Sequence, residues 1–201
     1  MNFPPKLNRN FYTSPLLQIA PALLGKILVK KSGKAFLAGK IVEVEAYDGA
    51  TDESAHTFNG KTKRNEVMFK EGGYLYVYLS YGVHFCCNIV TGNKDHGTAV
   101  LIRAIEPLTG LDDMVLNRYG RSEYSEKDKM NLTNGPGKLC KALNIVKKDN
   151  GTDLLKDEIF LTEASSPENF EIIQTTRIGI SKAKELPWRF YIKDNPYVSR
   201  K

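Results

Sequence analysis

Ala99-Val100-Leu101-Ile102-Arg103-Ala104-Ile105 is an apolar run rich in β-branched residues, closed by Glu106-Pro107. It reads as a buried strand with one charged residue inside it. A guanidinium in such a strand is unstable unless a carboxylate or a ligand compensates it. The nearest candidates lie in Ile41-Val42-Glu43-Val44-Glu45-Ala46-Tyr47, a second strand. Its alternation puts Val42, Val44 and Ala46 on one face and Glu43, Glu45 and Tyr47 on the other. A third segment, from Tyr74 to Tyr81, supplies tyrosines, with Tyr76 and Tyr78 on a shared face. Carboxylate, arginine and aromatics together describe a pocket for a flat group with acid–base chemistry beside it.

Outward from these segments, strands are expected at Lys26 to Lys31, Phe36 to Tyr47, Tyr74 to Tyr81, His84 to Val90 and Thr98 to Ile105. Tyr81-Gly82-Val83 is a tight hairpin connection. Short turns between sequential strands imply antiparallel pairing. Helices are expected at Leu111 to Tyr119, Glu126 to Leu132 and Lys138 to Ile145, with strands again at Phe160 to Thr162, Ile172 to Arg177 and Arg189 to Lys193. An earlier helix is punctuated by Ser14 as N-cap, Pro15 at the first helical position, a kink at Pro21 and a stop at Gly25. Helices grouped apart from the strands argue for an α+β fold over a doubly wound one. Asp48 to Arg64 is polar and long enough to be a functional loop. Glu163 to Asn169 reads as a surface loop.

The chain has 201 residues, which suggests a single domain over 1–201, and 41% hydrophobic residues, enough for a core. No stretch is long enough to span a membrane, and Met1-Asn2-Phe3-Pro4-Pro5 lacks the regions of a signal peptide. The net charge of +6 favours an anionic partner, nucleic acid first. Cys86, Cys87 and Cys140 read as small buried hydrophobes in a reducing cytosol. With His56, His84 and His96 as the histidines and no H-E-x-x-H or Cys-x-x-Cys, no metal site is expected.

Three patterns could carry chemistry. Glu45 lies near a sheet end, where the strand runs into the long loop; the bland alternative is a solvated carboxylate face. Tyr81 sits at the hairpin turn, where an aromatic has little to pack on unless a partner arrives, and could wedge between stacked bases. Asn134-Gly135-Pro136-Gly137-Lys138 lacks the Walker spacing, but free amides at a helix start and Lys138 could hold a DNA phosphate; a plain helix start explains it equally well.

These residues, taken in order, resemble the alkyladenine (3-methyladenine) DNA glycosylases. The resemblance rests on Glu45-Ala46-Tyr47, Asp52-Glu53-Ser54-Ala55-His56, Arg64-Asn65, Met68-Phe69, Tyr76-Val77-Tyr78-Leu79-Ser80-Tyr81-Gly82, Phe85-Cys86 and Asn88. It continues through Leu101-Ile102-Arg103-Ala104, Glu106-Pro107, Gly135-Pro136, Lys138-Leu139-Cys140, Arg189-Phe190-Tyr191, Asn195-Pro196 and Val198-Ser199. It implies one mixed domain with a curved antiparallel sheet surrounded by helices and a protruding hairpin. It implies a cofactor-free, monofunctional hydrolase that flips alkylated or deaminated purines out of double-stranded DNA and cleaves the N-glycosidic bond, with no lyase step. The substrates implied are 3-methyladenine, 7-methylguanine, hypoxanthine and ethenoadenine. By position, Glu45 would be the general base and Arg103 would hold it and the water. Tyr47, His56 and Tyr78 would line the base pocket, with the His56 amide on the base edge. Asn88 would be a selectivity wall, and the Ile192 carbonyl would touch the water. Tyr81 would fill the gap left by the base, and Arg64, Met68 and Lys138 would contact DNA. A cytoplasmic monomer is implied, nucleoid-associated in a bacterium.

Two other readings fit parts of the pattern. Glu43 and Glu45, roughly 7 Å apart as same-face neighbours, could be the carboxylate pair of an inverting glycoside hydrolase. Alternatively, the tyrosines could be the stacking platform of a non-catalytic nucleic-acid-binding domain.

Overall fold

The central element is a 14-residue strand, β2 (Ala35–Asp48), which has neighbours along its whole length. In the computed structural model, which describes residues 3–166 and 168–199, β5 (Thr98–Thr109) runs antiparallel along one edge of β2. The other edge is shared by β1 (Ile27–Ser32) against its first part and β8 (Arg189–Ile192) against its second. The sheet continues outward through β4 (His84–Thr91) to β3 (Leu75–Ser80) on one side, and through β1 to β6 (Ile159–Thr162) on the other; β7 (Ile172–Thr175) pairs with β8. Among the described residues, eight strands pair antiparallel in one curled sheet.

One face of the sheet carries the main core. Val42, Val44 and Ala46 of β2, Val77 of β3, Cys87 and Ile89 of β4, and Val100 and Ile102 of β5 meet Ile19 and Ala20 of α2 (Leu16–Ala22). Met114 and Val115 of α3 (Leu111–Tyr119) and Leu139 and Cys140 of α5 (Pro136–Ala142) complete it. All of these are at most 1% exposed, so burying them is the dominant favourable contribution to folding. The fold is α+β, with helices gathered on one face of an antiparallel sheet.

Several expected boundaries shift, each for a physical reason. The run ending at Ile105 does not stop at Pro107: β5 continues to Thr109. β4 pairs with β5 only over 98–101, so beyond it that edge is open and proline's missing N–H costs no ladder bond. α5 begins at Pro136 and not at Lys138, because proline suits a first helical turn. The helix after Ser14 starts at Leu16, with Pro15 itself in the extended cap position, and Pro21 is accommodated inside it. Three short helices add to the expected set among the described residues: α1 (Arg9–Thr13), capped by Asn8, and 3-10 turns at Glu66–Phe69 and Lys147–Asp149. α4 (Glu126–Met130) is brief and held by a capping box between Ser125 and Asp128. The strand expected at Ile172 to Arg177 ends at Thr175, leaving Arg177 in an irregular segment. Among the described residues no helix is long and apolar enough to cross a membrane.

Candidate active site

The register of the sheet assembles the opposite face. Directly opposed residues of an antiparallel ladder share a face. Tyr76 of β3 opposes Asn88 of β4, Asn88 opposes Leu101 of β5, Leu101 opposes Glu45 of β2, and Glu45 opposes Arg189 of β8. This row crosses five strands. A parallel row holds Tyr78 and Cys86 on β3 and β4.

Arg103 lies on this face by strand alternation, two residues from Leu101. The ladder steps from Ile41↔Ile105 to Glu43↔Ala104 and then to Val44↔Ile102. Val42 is therefore an extra residue on β2 and Arg103 an extra residue on β5. Paired bulges let Ile41 and Val42, and Ala104 and Ile105, both join the core as sequence neighbours, while Arg103 keeps the face that Leu101 shares with the carboxylates. Its Nε donates to Glu43 Oε1 at 2.9 Å and its Nη1 to Glu45 Oε2 at 3.1 Å. Burial opposes the Arg103 charge, but Glu45 and Glu43 outweigh it and hold its pKa above the usual arginine value.

Glu43 and Glu45 are both fully buried, so the carboxylate face of β2 is not solvated. Glu43 accepts four internal hydrogen bonds: at Oε1 from Arg103 Nε, Arg189 Nε (2.7 Å) and Ser199 Oγ (2.9 Å), and at Oε2 from Ser199 N (2.7 Å). Glu45 accepts three hydrogen bonds, from Arg103, from Tyr47 Oη at 2.9 Å and from the Ile178 amide at 2.7 Å. A carboxylate offers about four acceptor positions, which leaves room for one more donor. Burial, followed by the Glu45 charge, drives the Tyr47 pKa far up, so its hydroxyl stays protonated and donating.

Above these groups lies a cavity of about 710 Å³ lined by Tyr47, His56, Tyr76, Tyr78, Asn88 and Arg103, among others. Tyr76 and Tyr78 stack, with ring centroids 5.5 Å apart and planes 20° apart. The His56 ring stands edge-on to Tyr78 at 4.5 Å, and its Nδ1 lies 3.1 Å from Tyr76 Oη. His56 keeps one edge open to solvent; burial of its packed side, then the Arg64 charge, lowers its pKa and favours the neutral ring. Burial raises the Tyr78 pKa, and it lifts the Cys86 thiol beside Tyr78 to about 11. The loop bearing His56 is pinned by buried Asn65, whose Nδ2 donates to the His56 carbonyl at 2.8 Å and to that of Gly60 at 3.0 Å.

The remaining predicted residues divide. Arg64 stands exposed on the cavity rim. Met68 also lines the cavity but is 3% exposed, packed with Val67, Tyr76, Val90 and Ala99 as part of the wall. Lys138 is half-buried, its Nζ 2.7 Å from Asn134 Oδ1, beside Pro136 at the cavity edge. Tyr81 is 88% exposed at the hairpin tip, flanked by exposed Leu79 and Val83. It adopts a left-handed φ of 49°, rare for a bulky residue. Ile192 does not reach the cavity: its side chain belongs to the main core and its carbonyl accepts from the Asn195 amide. The main chain beside Glu45 is instead the irregular segment after β7, where Ile178 and Ile180 line the cavity.

Sequence reasoning missed Asp52, Arg177, Ile178, Asn65, Arg189 and Ser199. Arg177 carried a usable signal: like Arg103, it is an arginine among apolar residues, in Arg177-Ile178-Gly179-Ile180. Arg189 and Ser199 stand in motifs that carry the resemblance, but their bonds to Glu43 depend on distant segments returning to β2.

Comparison with known proteins agrees with this geometry. The family model described as methylpurine-DNA glycosylase matches residues 10–196. A protein of Clostridium novyi is 51% identical over 98% of this chain and 99% of its own length. One of Alkaliphilus oremlandii is 50% identical over 98% and 100%, and one of Francisella tularensis 47% identical over 92% and 94%. Each of the three is named "Putative 3-methyladenine DNA glycosylase". With a family match over nearly all of its length, and relatives this similar end to end, the chain belongs to the methylpurine-DNA glycosylase family.

Proposed function

We propose that this protein excises alkylated or deaminated purines from double-stranded DNA by hydrolysing the N-glycosidic bond with a water activated by Glu45. The observation that carries the reading is the Glu45 carboxylate, buried beneath an aromatic cavity, held by three donors and retaining one acceptor position. A base inside a duplex is out of reach, so the nucleotide must be flipped out, at a cost of a few kcal/mol. The exposed Tyr81 tip supplies replacement stacking and offsets part of that cost. The flipped ring enters between Tyr47, Tyr78 and His56; a cationic alkylpurine gains up to about 2 kcal/mol from such aromatic faces. A neutral His56 adds no repulsion to a cationic base.

As the base departs, positive charge grows on the sugar. The Glu45 carboxylate takes a proton from the water and stabilises that charge. Arg103, Tyr47 and the Ile178 amide keep the carboxylate in place. The attacking group is water and no amine takes part, so the product is an abasic site without strand cleavage. The family, the aromatic lining of the cavity and the net charge of +6 all favour damaged duplex DNA as partner, in the compartment where the chromosome lies. A glycoside hydrolase using Glu43 is disfavoured because Glu43 commits its oxygens to four internal donors.

The test is base release from duplexes carrying 3-methyladenine, 7-methylguanine, hypoxanthine or ethenoadenine, with Glu45→Gln beside the wild type. The wild type frees a modified purine, and the variant binds the lesion duplex but frees none. Wild-type protein that releases no base from any of the four, or a variant as active as the wild type, overturns the reading.

A further inference from the structure

Asp52 and Arg177 have no part in the steps above, yet both side chains have no solvent exposure at all. The guanidinium grips the carboxylate as a fork: Nη1 meets Oδ2, and Nη2 meets Oδ1 at 2.8 Å. Nη1 also donates to the Ala46 carbonyl at 3.0 Å, and Nη2 to that of Ala183 at 3.2 Å. The guanidinium lies 4.7 Å from the Tyr47 ring centroid and 5.4 Å from that of Trp188. A buried ion pair is a weak source of stability alone, since apolar replacements of like volume often do as well. What a bidentate fork adds is a fixed position and angle.

That position matters because both residues sit next to parts of the site. The residue after Arg177 is Ile178, whose amide donates to Glu45. Asp52 opens the turn that leads to His56, and Asp52 Oδ1 also accepts from the Ser54 amide at 2.9 Å. Ser54 Oγ in turn donates to the Lys182 carbonyl, on the same irregular segment as Ile178. The pair therefore ties together two loops that both line the cavity, and packs against the tyrosine that donates to Glu45.

We propose that Asp52 and Arg177 are positioning residues: their buried fork holds the Ile178 amide and the Tyr47 ring against Glu45, and so sets the rate of base hydrolysis without touching the substrate. The proposal rests on the role given to Glu45 above. Misplacing a reacting group by about 1 Å from a remote change can cost about 100-fold in rate.

The test compares Asp52→Asn and Arg177→Lys with the wild type, and adds the double variant Asp52→Leu with Arg177→Met. The double variant leaves no stranded charge, so it folds even where the single variants do not. A control, Ile159→Ala in β6, removes buried core volume far from the cavity. Melting temperature, hydrogen exchange of the Ile178 amide, affinity for a lesion duplex and single-turnover base release per folded molecule are read for each. In the Asp52 and Arg177 variants the Ile178 amide loses protection and release slows by about 100-fold while lesion affinity holds. The control loses melting temperature but neither protection nor rate. A double variant with wild-type release, or unchanged Ile178 protection in the variants, overturns the proposal. Ile178 exchange is measured without substrate, so a wild type that frees no base would defeat the role of Glu45 and leave the coupling between the fork and Ile178 separately judged.

Discussion

Glu43 and Glu45 are two positions apart on one strand face and have opposite fates. Glu43 is closed off by two arginines and the Ser199 backbone and hydroxyl, whereas Glu45 keeps an acceptor position beneath the cavity. Identical side chains are thus given different environments by their donors, which is what the proposed role of Glu45 draws on. Replacing Glu43 with Gln leaves Arg103 and Arg189 without their shared counter-charge in a buried setting. A lost partner in a buried ion pair costs about 3–5 kcal/mol, and urea titration of Glu43→Gln should show a loss on that scale. Stability unchanged from the wild type would mean that Glu43 is a spectator. Met68 shows the same dependence on surroundings: placed on DNA by resemblance, it is a buried wall residue here.

At the scale of elements, the β3–β4 hairpin and the β2–β5 ladder do different work. The ladder is the floor of the cavity, where alternation sets Arg103 beside the two carboxylates and paired bulges turn additional residues into the core. The hairpin carries its apolar tip outward, with Tyr81 and Gly82 both at positive φ and the Val83 amide bonded to the Ser80 carbonyl. A turn of that hand matches the natural twist of the flanking strands. Tyr81 buries almost nothing, so its strained conformation points to a task at the surface. Tyr81→Ser should leave the melting temperature within a degree or two, as surface changes do, while lesion-duplex affinity and base release both fall. A large thermal loss would instead show that the tip packs on something in solution.

For the whole molecule, charge and titration link fold to function. The excess of 29 basic over 23 acidic residues favours association with the DNA backbone. His56 ties stability to pH. Its folded pKa is lowered from 6.5 by burial and by Arg64, so in the window just below 6.5 the unfolded chain holds more protons. Stability therefore falls as pH drops from 6.5 through the lower folded value. His56→Gln should flatten that part of a stability-against-pH curve measured by urea titration; a variant curve parallel to the wild type's would count against it.

What the sequence determined by itself was the set of local signals. Alternation marked which face of β2 holds carboxylates, the arginine in an apolar run demanded an anion, and turn residues located the hairpin. Those are properties of neighbouring residues, so short-range physics makes them legible. Only the tertiary structure decided which anions Arg103 serves, because the pairing of β2 with β5 sets Glu43 and Glu45 beside it. It alone brought Arg177, Ile178 and Ser199 to β2 across more than a hundred residues, and it alone kept Ile192 away. Contacts of that span arise from the closing of the sheet and from long-range pairing, which no local pattern encodes.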